Sequence, residues 1–154
     1  MTKQNSTGKV HAVGINHIAL EVGDIDEALD FYAQIFEFET QSRNERAAFI
    51  YFGDQFINFA KYTDRKPDAE RHVGIAVDDY DLAKQTIIDL GIEILPGPFL
   101  DFLDPWGNRI EITTYVDIQY TKADHILRGM GLEHLKKSPS ALSELEEKGM
   151  APDG

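Results

Sequence analysis

The strongest constraint on this chain is that it says one thing twice. The stretch Ile15-Asn16-His17-Ile18-Ala19-Leu20-Glu21-Val22 is echoed by Arg71-His72-Val73-Gly74-Ile75-Ala76-Val77. A repeat of this length commits a chain to two copies of one supersecondary unit. Both copies alternate as strands do: Ile18, Leu20 and Val22 share one face, as do Val73, Ile75 and Val77. Each histidine therefore lies on the opposite face, where its neighbours (Ala19, Gly74 and Ala76) are small and leave room above the imidazole.

The pattern after each strand also repeats. Asp24 reads as a helix N-cap with an acidic first turn, and Ala28, Leu29, Tyr32, Ile35 and Phe36 fall at helical spacing. Strands are expected at 38–42, 47–52 and 55–62, parted by the turns Asn44-Glu45-Arg46 and Gly53-Asp54. A polar connector containing Pro67 leads to a second strand (71–77) and a helix after Asp79 closed by Gly91. Strands at 92–95, 99–103 and 109–115 complete the copy. Asp24 aligns with Asp79, Ala28 with Ala83 and Asn58 with Glu111. The fold class is thus α+β. Two β-α-β-β-β modules, 12–62 and 71–116, form one domain (12–116) with an open, cleft-lined sheet, and a helical tail spans 117–154. In the tail, Thr121 to Asp124 resembles a capping signal, while Ser138-Pro139 opens a second helix that Gly149 stops.

Composition bounds the function. A chain of 154 residues with 42% hydrophobic and 27% charged residues can bury a full core. With no cysteine, any metal falls to imidazole and oxygen ligands. A net charge of −12, with no basic block to offset it, argues against nucleic acid and anionic membranes as partners. Residues 1–9 are polar, without the apolar core of a secretion signal, and no apolar run matches a membrane span. The expectation is a cytoplasmic protein whose partner is a small-molecule substrate.

Strand parity then selects the chemistry. Arg109, Glu111 and Thr113 face away from Ile110 and Ile112, and Phe56, Asn58 and Ala60 occupy the matching face of the first copy. If both modules curve around one cleft, His17, His72 and Glu111 converge there, with Asn58 at the fourth equivalent position. Two imidazoles and one carboxylate are a known ligand set for a divalent metal with positions open to water and substrate. Iron, manganese, zinc, nickel or cobalt would suit it, as Lewis acid or, for ferrous iron, as a dioxygen site. Glu21 shares the His17 face and is a candidate base, or else a rim carboxylate. Arg109 shares the Glu111 face, either gripping an anionic substrate group in a catalytic role or closing a structural ion pair. Asn58 and Tyr51 are candidate substrate-binding residues. Tyr115, like Tyr51, is either a hydrogen-bond donor or a packing residue, and Trp106 reads as packing.

The segments Asn16-His17-Ile18-Ala19-Leu20, Ala28-Leu29-Asp30-Phe31-Tyr32 and Asp104-Pro105-Trp106-Gly107-Asn108-Arg109-Ile110-Glu111 carry a resemblance to a known family. Paired modules with a histidine at each start and a closing glutamate resemble the vicinal oxygen chelate superfamily: glyoxalases, bleomycin-resistance proteins, fosfomycin-modifying transferases and extradiol dioxygenases. The resemblance implies His17, His72 and Glu111 as metal ligands and a homodimer. In some members the first histidine comes from one chain, and the second histidine and the glutamate from the other. It also implies a substrate bound to the metal through adjacent oxygens. Three departures stand out. Asn58 replaces the carboxylate of glyoxalase-type enzymes, and an amide takes no proton near neutral pH. Ala19 stands where fosfomycin-type transferases carry threonine. Extradiol enzymes add an acid/base histidine and a tyrosine in the cleft, and no such histidine can be placed on this cleft face. The expectation is a metal-dependent lyase, isomerase or dioxygenase. The alternatives are a non-catalytic, bleomycin-resistance-like binding protein and a module that binds another protein through its tail.

Overall fold

In the computed structural model, which describes residues 15–153, the repeat becomes two mixed sheets. The sequence places the first strand at 11–22; residues 1–14, which include its front and the polar leader, and Gly154 lie outside the described residues. The first half runs β1 (His17–Val22), α1 (Ile25–Ala33), β2 (Glu39–Arg43), β3 (Ala47–Phe52) and β4 (Gln55–Lys61), in sheet order β1-β4-β3-β2. The second half runs β5 (Val73–Val77), α2 (Tyr80–Asp89), β6 (Leu100–Leu103) and β7 (Arg109–Thr114), in order β5-β7-β6. In both sheets the opening strand lies parallel to the closing one. The registers match as well. Ala19 pairs with Asn58 and Gly74 with Glu111, so Asn58 and Glu111 hold the same place in their sheets.

The second copy departs from expectation at 92–95. Only an isolated bridge, Ile94 to Phe102, survives there, and the sheet has three strands. Pro96 and Pro98 lack the amide a ladder needs, and Gly97 between them sits at φ 142. The second strand copy also starts at Val73, leaving His72 just ahead of the sheet.

The helices form where capping directs them. Asp24 accepts from the Glu27 amide at 3.0 Å and Asp79 from the Leu82 amide at 2.9 Å. One core runs through both halves, with Leu20, Ile50 and Phe59 on one side and Ile75, Phe102 and Ile110 on the other. Tyr32 is fully buried in it, and its hydroxyl donates to Asp104 at 2.8 Å. Burial, reinforced by the Asp104 charge, pushes that hydroxyl well above its ordinary range. The Asp104–Asn108 turn is stitched to the first sheet, because the Asn108 side-chain amide donates to the Glu21 carbonyl at 2.9 Å. The connector between the halves is clasped onto the same turn. Arg65 bonds Asn108 and Asp68, and Asp68 also accepts from the Arg109 amide at 3.2 Å. Burial pushes the Asp68 carboxyl up, but the Arg109 amide, Arg71 and Arg65 outweigh it and hold the carboxyl below the usual range.

The tail adds α3 (Asp124–Gly129) and α4 (Pro139–Glu147). Ser138 caps α4, its hydroxyl accepting from the Ala141 amide at 3.2 Å, and Gly149 ends it at φ 71. The capping signal expected at α3 is absent. Ala123 is its N-cap, and the Thr121 hydroxyl donates instead to the Gln119 carbonyl at 3.1 Å. α3 rests on the β3–β4 turn, where a Cβ on Gly53 would come within 2.5 Å of the Met130 sulfur. Among the described residues no helix is long and apolar enough to cross a membrane.

Candidate metal centre

On β1 the alternation that buries Leu20 and Val22 turns His17, Ala19 and Glu21 outward. The exposed His17 ring lies flat on its register partner Phe56, with centroids 4.8 Å apart and planes 11° apart. Phe56 in turn meets Tyr51 at 5.2 Å and Phe49 at 5.7 Å. The open face of the first sheet thus carries an aromatic row ending in an imidazole. Two residues further along β4, Asn58 Oδ1 is buried with no hydrogen-bond partner. Tyr51, a candidate from sequence, stands in that row. Phe49 and Phe56 join it without having been candidates from sequence. Alternation in β3 carries the signal for Phe49, since it puts Phe49 on the Tyr51 face.

The second sheet brings His72 and Glu111 together, with Nε2 and Oε2 3.6 Å apart. His72 Nδ1 lies 2.8 Å from the Glu70 carbonyl. A carbonyl only accepts, so in the neutral ring the proton sits on Nδ1 and the Nε2 lone pair is free beside the carboxylate. Metal–ligand bonds of about 2.0–2.2 Å place neighbouring donor atoms roughly 3–3.5 Å apart, so this pair fits a divalent cation. His17 is arranged the same way, its Nδ1 2.6 Å from Asn16 Oδ1. Gly74, the register partner of Glu111, has nothing within 4 Å of where its Cβ would stand, which leaves the space over the pair open.

One chain does not complete the set. Among the described residues no three His, Cys, Asp or Glu side chains come close enough to hold a metal ion. His17 belongs to the first sheet, while His72 and Glu111 belong to the second. Glu21 is half-exposed, 3.8 Å from Arg65. Arg109 sits on the Glu111 face, but its guanidinium is engaged. Nε donates to Asp101 at 2.7 Å, Nη2 bonds the same carboxylate, and Nη1 donates to the Ala69 carbonyl at 2.6 Å. Asp101 is 2% exposed and faces Glu111 across the β6–β7 ladder. In the sequence it is legible only as a polar residue in a short apolar strand. Tyr115 is buried, as its packing reading has it, and Trp106 packs as expected. The Tyr115 hydroxyl accepts from the Lys122 amide at 3.0 Å, and the Trp106 ring covers Gly23.

Known proteins share this outline. Residues 14–112 match the Glyoxalase/Bleomycin resistance protein/Dioxygenase superfamily. The chain is 26% identical to the metallothiol transferase FosB of Shouchella clausii (strain KSM-K16) over 116 residues, 66% of this chain and 80% of FosB. Among solved structures, an integron cassette protein from the mobile metagenome of V. cholerae is similar at TM-score 0.56 and 25% identity, covering 70% of this chain and 98% of that one. The fold is also shared with the fosfomycin resistance protein FosX of Listeria monocytogenes, solved with Mn(II) and sulfate. That likeness has a TM-score of 0.60 at 20% identity and covers 68% of this chain and 93% of FosX.

Proposed function

The chain belongs to the Glyoxalase/Bleomycin resistance protein/Dioxygenase superfamily, and from that premise we propose a metal-dependent enzyme that acts on a small oxygenated molecule at a site shared by two copies. In this reading His17 of one copy joins His72 and Glu111 of the other around a divalent ion. The observation that carries it is the division of the ligand set. A ready carboxylate–imidazole pair lies on one open sheet face, and the third ligand lies on the equivalent face of the other sheet. A C2 dimer brings such faces together twice. The Mn(II) held by FosX supports a divalent ion in general; manganese, iron, zinc, nickel and cobalt all accept this donor set.

A divalent ion held by His17, His72 and Glu111 would supply Lewis acidity to the oxygens of the substrate. The chain's own residues do the rest. The Glu70 carbonyl fixes the His72 tautomer. Asn58 is the residue of that face assigned to hydrogen-bond the substrate, a role that requires its buried side-chain amide to turn outward, and Tyr51 and Phe56 line the aromatic row beside it. Glu21 is the carboxylate on the His17 face able to take a proton, which suits isomerase or lyase chemistry; iron in place would instead direct the site to dioxygen. Arg109, tied to Asp101 and Ala69, serves as a positioning residue for β7 rather than as a grip on an anionic substrate.

A second reading, ligand binding without turnover, draws on the aromatic row alone. Metal analysis by plasma mass spectrometry, on protein purified without chelator or affinity tag, separates the two. The enzyme reading predicts near-stoichiometric metal that His72→Ala and Glu111→Ala both lose. Metal-free protein that cannot be reconstituted would leave the binding reading standing.

A further inference from the structure

Away from the cleft, the tail forms a pocket of about 780 Å³ that is broadly open to solvent, within the size range of small-molecule sites. Its walls include Leu127, Leu135, Leu142 and Leu145, and at its edge Tyr120 and Met150 stay 40% and 57% exposed. Apolar side chains gathered around a hollow favour an apolar occupant. The charges around it reverse the sign of the molecule. On a chain of net charge −12, this cavity is lined by Lys122, Lys136 and Lys137 against the single carboxylate of Asp124. Two of these lysines already have partners. Lys122 is paired with Asp54, and the Lys137 ammonium donates to the carbonyls of Tyr115, Ile118 and Tyr120. Lys136 is exposed and makes no ion pair or side-chain hydrogen bond among the described residues. The family match ends at residue 112, so the cavity belongs to the part of this chain that the family does not account for.

We propose that the tail cavity is a second binding site, which takes a single-chain anionic amphiphile of the fatty-acid type. The hydrocarbon lies among the leucines and the carboxylate meets Lys136. The site is independent of the metal centre.

The test is fluorescence titration of the full-length protein with 11-(dansylamino)undecanoate, and then competition below micelle-forming concentrations. Saturation at one probe per chain is expected, with displacement by dodecanoate and none by dodecyltrimethylammonium at equal concentration. Lys136→Glu and Leu142→Asp, both at exposed positions, should each weaken the probe about tenfold or more. His72→Ala should leave it unchanged. Four results would overturn the proposal: no saturable binding, equal displacement by the cationic amphiphile, undiminished binding in both tail variants, or loss of binding in His72→Ala.

Discussion

Arg109 shows how a residue's neighbours decide its role. Its strand parity, shared with Glu111, makes it a candidate for substrate, yet Asp101 is 2% exposed and holds the guanidinium through two nitrogens. Removing one partner of a buried pair strands the other charge, which costs about 3 kcal/mol or more. Arg109→Ala should therefore lose about that much stability in urea denaturation, and Arg109→Lys should recover part of it. Unchanged stability with impaired turnover would return Arg109 to the substrate. Asp68 makes a pH prediction. Its carboxyl is held below the ordinary range in the folded chain, so its contribution is present above about pH 4, the unfolded value, and fades as pH falls through the folded pKa. Asp68→Asn should lower stability at pH 7 and flatten its acid-side decline, as measured by thermal unfolding across pH. The histidines and Glu111 are readable because a period of two assigns each a face without knowledge of the fold. Asp101 is not, because nothing local in Leu100-Asp101-Phe102 reveals that an arginine will reach it.

At the scale of elements, alternation and capping locate β3, β4, α2 and β7 nearly to the residue, while β1 ends at Val22 but begins only at His17 and α1 stops at Ala33, short of Ile35 and Phe36. The failures have physical causes. The run at 92–95 is apolar enough for a strand, but Pro96 and Pro98 withhold the amides that would extend its ladder. At α3, Thr121 spends its hydroxyl on a turn carbonyl rather than on the helix. The Asp104–Asn108 turn makes the element-scale prediction. Gly107 sits at φ 83, and a Cβ there would lie 2.6 Å from the Pro67 backbone. Gly107→Ala combines the left-handed penalty with a backbone clash and should cost about 2 kcal/mol or more. Calorimetry should show a fall in Tm of several degrees. An unshifted Tm would mean that the connector does not pack against this turn as described.

At the scale of the whole molecule, the sequence names three candidate ligands but does not say how they meet. Parity fixes which face a side chain takes; it does not fix how one sheet stands against another. In this chain the sheets share a core, yet His72 and Glu111 meet without His17. A site completed between copies predicts that metal and dimer are coupled. Sedimentation velocity should show a dimer that metal stabilises and that His17→Ala weakens. The most direct measurement is metal content after His17→Ala and His72→Ala proteins are mixed, unfolded together and refolded. Each variant alone should bind no metal. In the mixture, half the dimers pair an intact His17 with an intact His72 and Glu111 at one of their two sites, restoring about a quarter of the wild-type metal. Recovery near that level is the result the shared site predicts. Full metal loss in both variants with no recovery on mixing, while refolded wild type regains its metal, would contradict it and place the three ligands within a single chain.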